Sequence, residues 1–235
     1  MLIPNIEEHL NTTVAEKQKV GFFTYASRPG IYYLPGYVTT DECNYVVYHC
    51  EQQINKAHHT AELSVDNSSF QCYTWRISFY QDEILKNICS RLASLVNLPL
   101  SVAEYLEVRR FDNMGFYNKM CDHIDESDIQ AQVGCTPEFP TAAWEVMEPG
   151  HKQMSPRGSV IAAVNVTMFE NDSVRFKYHN LSLPPLVPEP GLAIVNAVQT
   201  DNIQWDVTTN LSEIPFWMMK LRFREFGRTV ETGET

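Results

Sequence analysis

No segment of this 235-residue chain stays apolar for the length a bilayer demands, which excludes a helical membrane span. The opening MLIPNIEEHL lacks both the basic start and the apolar stretch of a secretory leader, so the chain is expected in a reducing compartment, the cytoplasm. Six cysteines are present, at 43, 50, 72, 89, 121 and 135, but no Cys-x-x-Cys pair, and a chain this long does not need disulfides to fold. Cys43 and Cys50, seven apart on an expected helix, read as buried thiols. Nowhere do lysine and arginine cluster into a nucleic-acid patch, and the net charge of −11 would repel phosphate. The G-x-S-x-G elbow, the P-loop, the dinucleotide fingerprint and HExxH are all missing, as is any internal repeat.

What is present is a chain that is 44% hydrophobic and 20% charged, enough for one large domain with a substantial core. GFFTYASRPGIYYLPGYV, aromatic and broken by Pro-Gly, predicts short strands. In TTDECNYVVYHCEQQINKA, Thr39 and Glu42 have capping-box spacing, and Val46, Val47, Cys50 and Ile54 form one apolar face. A helix therefore runs from about Thr40 to about Asn55, with His49 expected as a partly exposed side chain. A polar turn leads to FQCYTWRISFY, a strand. Ile84, Leu85, Ile88, Leu92, Leu95 and Val96 then recur at helical spacing up to Asn97-Leu98-Pro99. In the strand AEYLEVRRF, Tyr105, Glu107 and Arg109 alternate against Leu106, Val108 and Arg110.

From Ser159 the pattern is β almost to the end: SVIAAVNVTMF, VRFKYHNLSL, PGLAIVNAV, IQWDV and PFWMMKLRFREF, separated by Asn/Asp or Pro/Gly turns. Helices early and strands late predict an α+β chain with a sandwich or barrel core. One domain over 1–235 is expected, with an N-terminal extension over 1–29, a long loop over 126–158 and a frayed tail over 229–235. The long loop is the expected contact surface.

The stretch with chemistry in it is GFYNKMCDHIDESD, where His123 and Asp125 stand two apart in an acidic run. Its neighbours carry a resemblance. LPGYVTTDECNYVVYHCEQQ, WRISFYQDEILKNICSRLASLVNLPLSVAEYLEVRRFDNMGFY and SVIAAVNVTMFENDSVRFKYHNLSLPPLVPEPGLAIVNA resemble successive parts of the prolyl 4-hydroxylase-like dioxygenases, over roughly residues 30 to 225. The resemblance implies a double-stranded β-helix (jelly-roll) core with N-terminal helices packed on it. It also implies iron(II) held by two histidines and a carboxylate, and a late Lys or Arg that pairs with the far carboxylate of 2-oxoglutarate.

Residue by residue, that implied site is degenerate. Without a gap, the family's G-x-Y-x-x-H-x-D falls on Gly115 and Tyr117 with Met120 and Asp122 as ligands; a three-residue slide gives His123 and Asp125. Met120 would be a poor ligand, since a thioether suits ferrous iron badly. No histidine follows His179, and DNIQWDVTTN offers Gln204 and Asp206 where the third ligand belongs. The anchor position falls near Phe216 and Trp217; Lys220, Arg222 and Arg224 follow on one face, read as a solvated basic face with acidic neighbours. Asn171-Asp172-Ser173-Val174 replaces a turn that in the family borders the active site, whereas Arg76, Pro190 and Gly191 match its scaffold.

Three readings of the acidic run stay open: a surface loop, a non-oxygenase metal site on Asp122, His123, Asp125 and Asp128, and an iron site on His123 and Asp125. Scaffold kept with ligands lost makes the leading expectation a pseudoenzyme. This would be a barrel without cofactors that serves as a structural module or binds other proteins in a large assembly, with no nucleic-acid or membrane partner. The resemblance implies a bacteriophage virion as one such assembly. The rival expectation is an active Fe(II)/2-oxoglutarate hydroxylase of a peptide or small molecule, with Lys220 or Arg222 as a displaced anchor.

Overall fold

The computed structural model describes residues 6–10, 21–27, 30–54, 62–66, 70–80, 82–121, 160–179, 181–197 and 204–224. After a single turn of helix, α1 (Ile6–His9), come strands β1 (Phe23–Ala26) and β2 (Gly30–Leu34) and helix α2 (Thr40–Ile54). Strands β3 (Glu62–Asp66) and β4 (Phe70–Ile77) lead to helix α3 (Glu83–Leu95). The rest is β: β5 (Leu106–Phe111), β6 (Phe116–Cys121), β7 (Val160–Thr167), β8 (Phe176–Tyr178), β9 (Ala193–Ala197), β10 (Gln204–Val207) and β11 (Phe216–Arg224). The segment before β4, expected as a polar turn, holds strand β3. Its Leu63 and Val65 alternate with charged and hydroxyl residues over too few positions to stand out.

The strands pair in the order β1-β2-β9-β7-β11-β5-β4-β6-β10-β8, antiparallel throughout, with β3 added to β4. A large sheet of β2, β9, β7, β11, β5 and β4 meets a small one of β6, β10 and β8. Among the described residues the two are joined where Phe70 and Gln71 of β4 pair with Tyr117 and Phe116 of β6. This is the expected jelly roll. Alternation along each strand gives the large sheet two differently used faces. On one face Leu106, Val108, Val164, Val195, Met219 and Leu221 bury against Val46 and Cys50 of α2 and Leu85, Ile88 and Leu92 of α3. On the other, Phe111, Ile194, Phe216 and Met218 face Phe176, Tyr178, Trp205 and Val207 of the small sheet.

The expected capping box forms at the start of α2. Thr39 donates its backbone N–H and hydroxyl to Glu42 Oε2 at 2.9 and 3.0 Å, and Glu42 N–H donates to Thr39 Oγ1 at 3.3 Å. Arg91 of α3 adds a forked pair to Glu42 at 2.6 and 2.8 Å, locking the two helices together. Burial works to raise the Glu42 carboxyl, but the Arg91 and Thr39 hydrogen bonds outweigh it and hold it below its usual range. Thr39→Ala removes the hydroxyl cap and is expected to lower stability by about 1 kcal/mol in urea titrations. Cys43 and Cys50 lie buried on the inner face of α2, and burial pushes the Cys43 thiol up to about 11, out of reach of ordinary thiol chemistry.

Candidate functional site

The interior face of the large sheet is not uniformly apolar. On β5, Glu107 and Arg109 sit two apart and share the inward face with Phe111. Arg109 Nε donates to Glu107 Oε1 at 2.8 Å, with both side chains buried. Lys220 on β11 pairs in register with Glu107 on one side and Asn165 of β7 on the other, and is 4% exposed. Its Nζ lies 5.3 Å from the centroid of the Trp205 ring. Next along β11, Arg222 meets Glu104, Nε to Oε2 at 3.0 Å.

Buried charges survive only when paired, and the carboxylates here are. Burial would raise the Glu107 carboxyl, yet Arg109, Arg222 and Lys220 outweigh it and bring it down to about 2. The Arg109 guanidinium is correspondingly raised: burial pulls it down, but Glu107 more than reverses this. Arg109 also lies over the Tyr117 ring at 4.2 Å. Its Nη1 and the Oδ1 of Asn165 are buried with no hydrogen-bond partner among the described residues, so a buried water or a small polar ligand has one donor and one acceptor to meet.

The small sheet supplies the opposite wall. Trp205 is 0% exposed, packed against Phe176 and Tyr178 at ring-centroid distances of 5.4 and 6.4 Å, and it pairs in register with Met120 of β6. Since Trp205 and Val207 face inward, alternation turns Gln204 and Asp206 to the outer face. There Asp206 Oδ1 meets His179 Nε2 at 2.7 Å.

These positions decide several sequence expectations. Gln204 and Asp206 stand where the third iron ligand belongs in the sequence, but neither faces the interior; the inward residue is the indole between them. Lys220 is not on a solvated face: it is buried in the barrel, although its acidic neighbours are as expected. Arg222 is mostly buried on Glu104. The turn Asn171–Val174, expected beside the site, lies at the other end of the small sheet. Val207 pairs with both Phe176 and Tyr117 at that end, while Gln204 pairs with Cys121 at the end leading to residue 123. His123, Asp125, Asp122, Asp128 and the 126–158 loop lie outside the described residues. Among the described residues no three His, Cys, Asp or Glu side chains converge as metal ligands.

Glu107 and Arg109 had no functional reading from sequence. The signal was present in their alternation with Leu106 and Val108, but one charged face of a strand is equally compatible with solvent until the strand is known to line a closed barrel.

Set against solved structures, the chain superposes on a viral collagen prolyl hydroxylase from Paramecium bursaria Chlorella virus-1, whose structure is a 2-oxoglutarate complex. The TM-score is 0.57 and the identity 12%, over 83% of this chain and 96% of that one. The fold is that of the prolyl 4-hydroxylases. A Pseudomonas putida prolyl-4-hydroxylase matches at TM-score 0.55 and 10% identity, over 97% of this chain and all of that one. A prolyl hydroxylase from Trichoplax adhaerens, solved with a hypoxia-inducible-factor peptide, matches at 0.56 and 8%, over 94% of this chain and 87% of that one. No family model and no curated protein matches the sequence.

Within the prolyl 4-hydroxylase fold, the described residues meet the cosubstrate requirement in part and, on β10, do not supply an iron ligand. Lys220 is an inward cation on the last strand, the element the resemblance assigns to the 2-oxoglutarate anchor. On β10 the inward side chain is Trp205, which has no lone pair to offer a metal, and the only carboxylate of that strand is turned out and bonded to His179. Among the described residues, β10 therefore supplies no inward donor to a two-histidine, one-carboxylate set.

Proposed function

We propose that this chain is a prolyl-hydroxylase-fold barrel that no longer oxidises a substrate and acts as a structural or protein-binding module. The observation that carries this is Trp205, fully buried on β10 opposite Met120, with Gln204 and Asp206 on the far face. An oxygen-activating iron needs imidazole and carboxylate donors converging on one point, and this wall offers an indole. The cation across from it supports the same reading: Lys220 is engaged by the Trp205 ring and by the field of Glu107. A dicarboxylate entering there would compete with a carboxylate already in place.

The setting we propose is a large protein assembly, a tailed-phage virion being the one the resemblance suggests. Peptides of this chain in purified particles, detected by mass spectrometry, are the expected result.

One observation favours a second reading, an active Fe(II)/2-oxoglutarate hydroxylase with His123 and Asp125 as ligands: Lys220 does face the interior. Anaerobic titration of metal-stripped protein with Fe(II), with and without 2-oxoglutarate, separates the two. The expected result is no visible charge-transfer band and no thermal shift from either ligand. A saturable band that His123→Ala abolishes would overturn the binding-module reading.

A further inference from the structure

The end of the barrel reached by the β5–β6, β7–β8 and β10–β11 connections is cross-linked by hydrogen bonds and carries exposed apolar side chains. Its centre is Asn210, fully buried. The side-chain amide of Asn210 donates to the carbonyls of Phe111 and Ile214, both at 3.0 Å. Its Oδ1 accepts from Asn171 Nδ2 at 3.0 Å, Ser173 Oγ at 3.0 Å and Ser212 N–H at 2.8 Å. Backbone bonds complete the knot: Met114 N–H to Asn210 O and Asn210 N–H to Gly115 O, each 2.7 Å. Three connections far apart in sequence are thereby fixed as one platform.

From this platform Met114, Leu211 and Ile214 project with 54%, 68% and 62% of their surface exposed. Isolated exposed apolar residues need no explanation. These three stand on two connections that the Asn210 bonds tie to each other, and one of them is strained. Asp112 to Gly115 forms a tight turn closed by Gly115 N–H to Asp112 O at 2.8 Å, and Met114 occupies its third position with φ of 65°. That position favours glycine or asparagine. Holding a methionine there disfavours the fold and is sustained where the side chain has a use.

The rim is acidic. Glu170 and Asp172 on the β7–β8 connection and Glu213 on the β10–β11 connection form no ion pair among the described residues, while Asp112 is neutralised by Arg110 at 2.6 Å and the one cation on these connections, Arg175, turns its guanidinium to the Val174 carbonyl at 2.7 Å. A second copy of this chain would bring two acidic rims together in a molecule of net charge −11.

We infer that this end of the barrel docks a basic protein surface that presents apolar anchors to Met114, Leu211 and Ile214. The inference rests on the binding-module reading and gives that module its contact surface and the chemistry of its partner. The surface differs from the expected loop contact over 126–158. It lies at the end of the small sheet away from Cys121, a strand length of roughly 17–20 Å. Because the loops are already ordered, docking incurs little further entropy loss.

The test uses the full chain labelled at methionine methyl groups, with the Met114 resonance assigned from Met114→Leu. The probes are a short lysine–leucine peptide and a glutamate–leucine peptide of equal apolar content. The expected result is a saturable, salt-sensitive shift of Met114 with the basic peptide alone. Leu211→Asp and Ile214→Asp, both at exposed positions, should each weaken it roughly tenfold without moving the thermal midpoint. Met114→Gly should raise that midpoint and weaken binding. No shift, an equal shift with the acidic peptide, or unchanged affinity in the aspartate variants would overturn the assignment. So would self-association that Leu211→Asp abolishes, which would make the occupant a second copy. Failure here with no iron band in the titration above removes only this surface; an iron band removes the module reading itself.

Discussion

Glu107→Ala should cost the fold about 3–5 kcal/mol, the range for breaking a buried ion pair from one side. The loss goes beyond the 2.8 Å bond to Arg109. Arg109, Arg222 and Lys220 all lower the Glu107 carboxyl, so its removal takes away the carboxylate that these three inward cations share. Equilibrium unfolding in urea measures the effect, and Glu107→Ala combined with Arg109→Met should recover part of it, because the most closely paired cation goes as well. The same carboxylate sets an acid limit. Its folded value is about 2 and its unfolded value about 4.3, so the stabilisation is fully present above the unfolded value and lost as pH falls from about 4.3 towards 2. The linkage is on the order of 3 kcal/mol. Wild-type stability should fall across that window, and Glu107→Gln, weaker at neutral pH, should show a flatter profile through it.

Gly191→Ala is expected to be at least as damaging, for a reason of space rather than charge. Gly191 has φ of 75°, and a Cβ added there would press into the carbonyl oxygen of Val38, a backbone atom that cannot swing aside. The contact is fixed from both sides, since Gly191 N–H donates to Thr167 O at 2.7 Å and Val38 N–H to Gly191 O at 3.2 Å. Gly36 provides the control. Its φ is 64°, but nothing lies within 4 Å of the added methyl position. Gly36→Ala should therefore cost only the left-handed backbone penalty, about 1–2 kcal/mol. Gly191→Ala should exceed that by on the order of 2 kcal/mol or more, or fail to give soluble protein. Equal effects in the two variants would mean that the Val38 contact relaxes freely.

Most of the fold was legible because its elements obey local rules. Thr39 and Glu42 announce α2, Leu85 and Leu92 mark the buried stripe of α3, and each late apolar run holds a strand, although VRFKYHNLSL shrinks to the three residues of β8. The site was less legible. Whether Lys220 meets solvent or a barrel lumen depends on the strands of both sheets closing around it, and nothing within a few residues of Lys220 records that. Trp205 shows the same limit. Beside Gln204 and Asp206 it was the least suggestive residue for metal chemistry, and only the parity of β10, fixed by its pairing with Tyr117 and Tyr178, makes it the one that faces in. The knot at Asn210 was invisible for a related reason, since its partners Phe111 and Asn171 come from β5 and the β7–β8 connection, far from it in sequence.

The strand order also bears on how this protein is made. Tyr32 of β2 pairs with Val195 of β9, and β5 lies against β11, the last of the described strands. The β1–β2 hairpin therefore leaves the ribosome with no sheet to join, and Val108 and Leu106 keep one open flank until residues near 220 emerge. Such pairings close large loops of chain before they return any contact energy, which slows the search. The sheet should therefore close only after residues near 220 have emerged, with α2 and α3 formed early around a sheet that is still incomplete. During that interval the unpaired edges of β5 and β7 are the segments most in need of a chaperone.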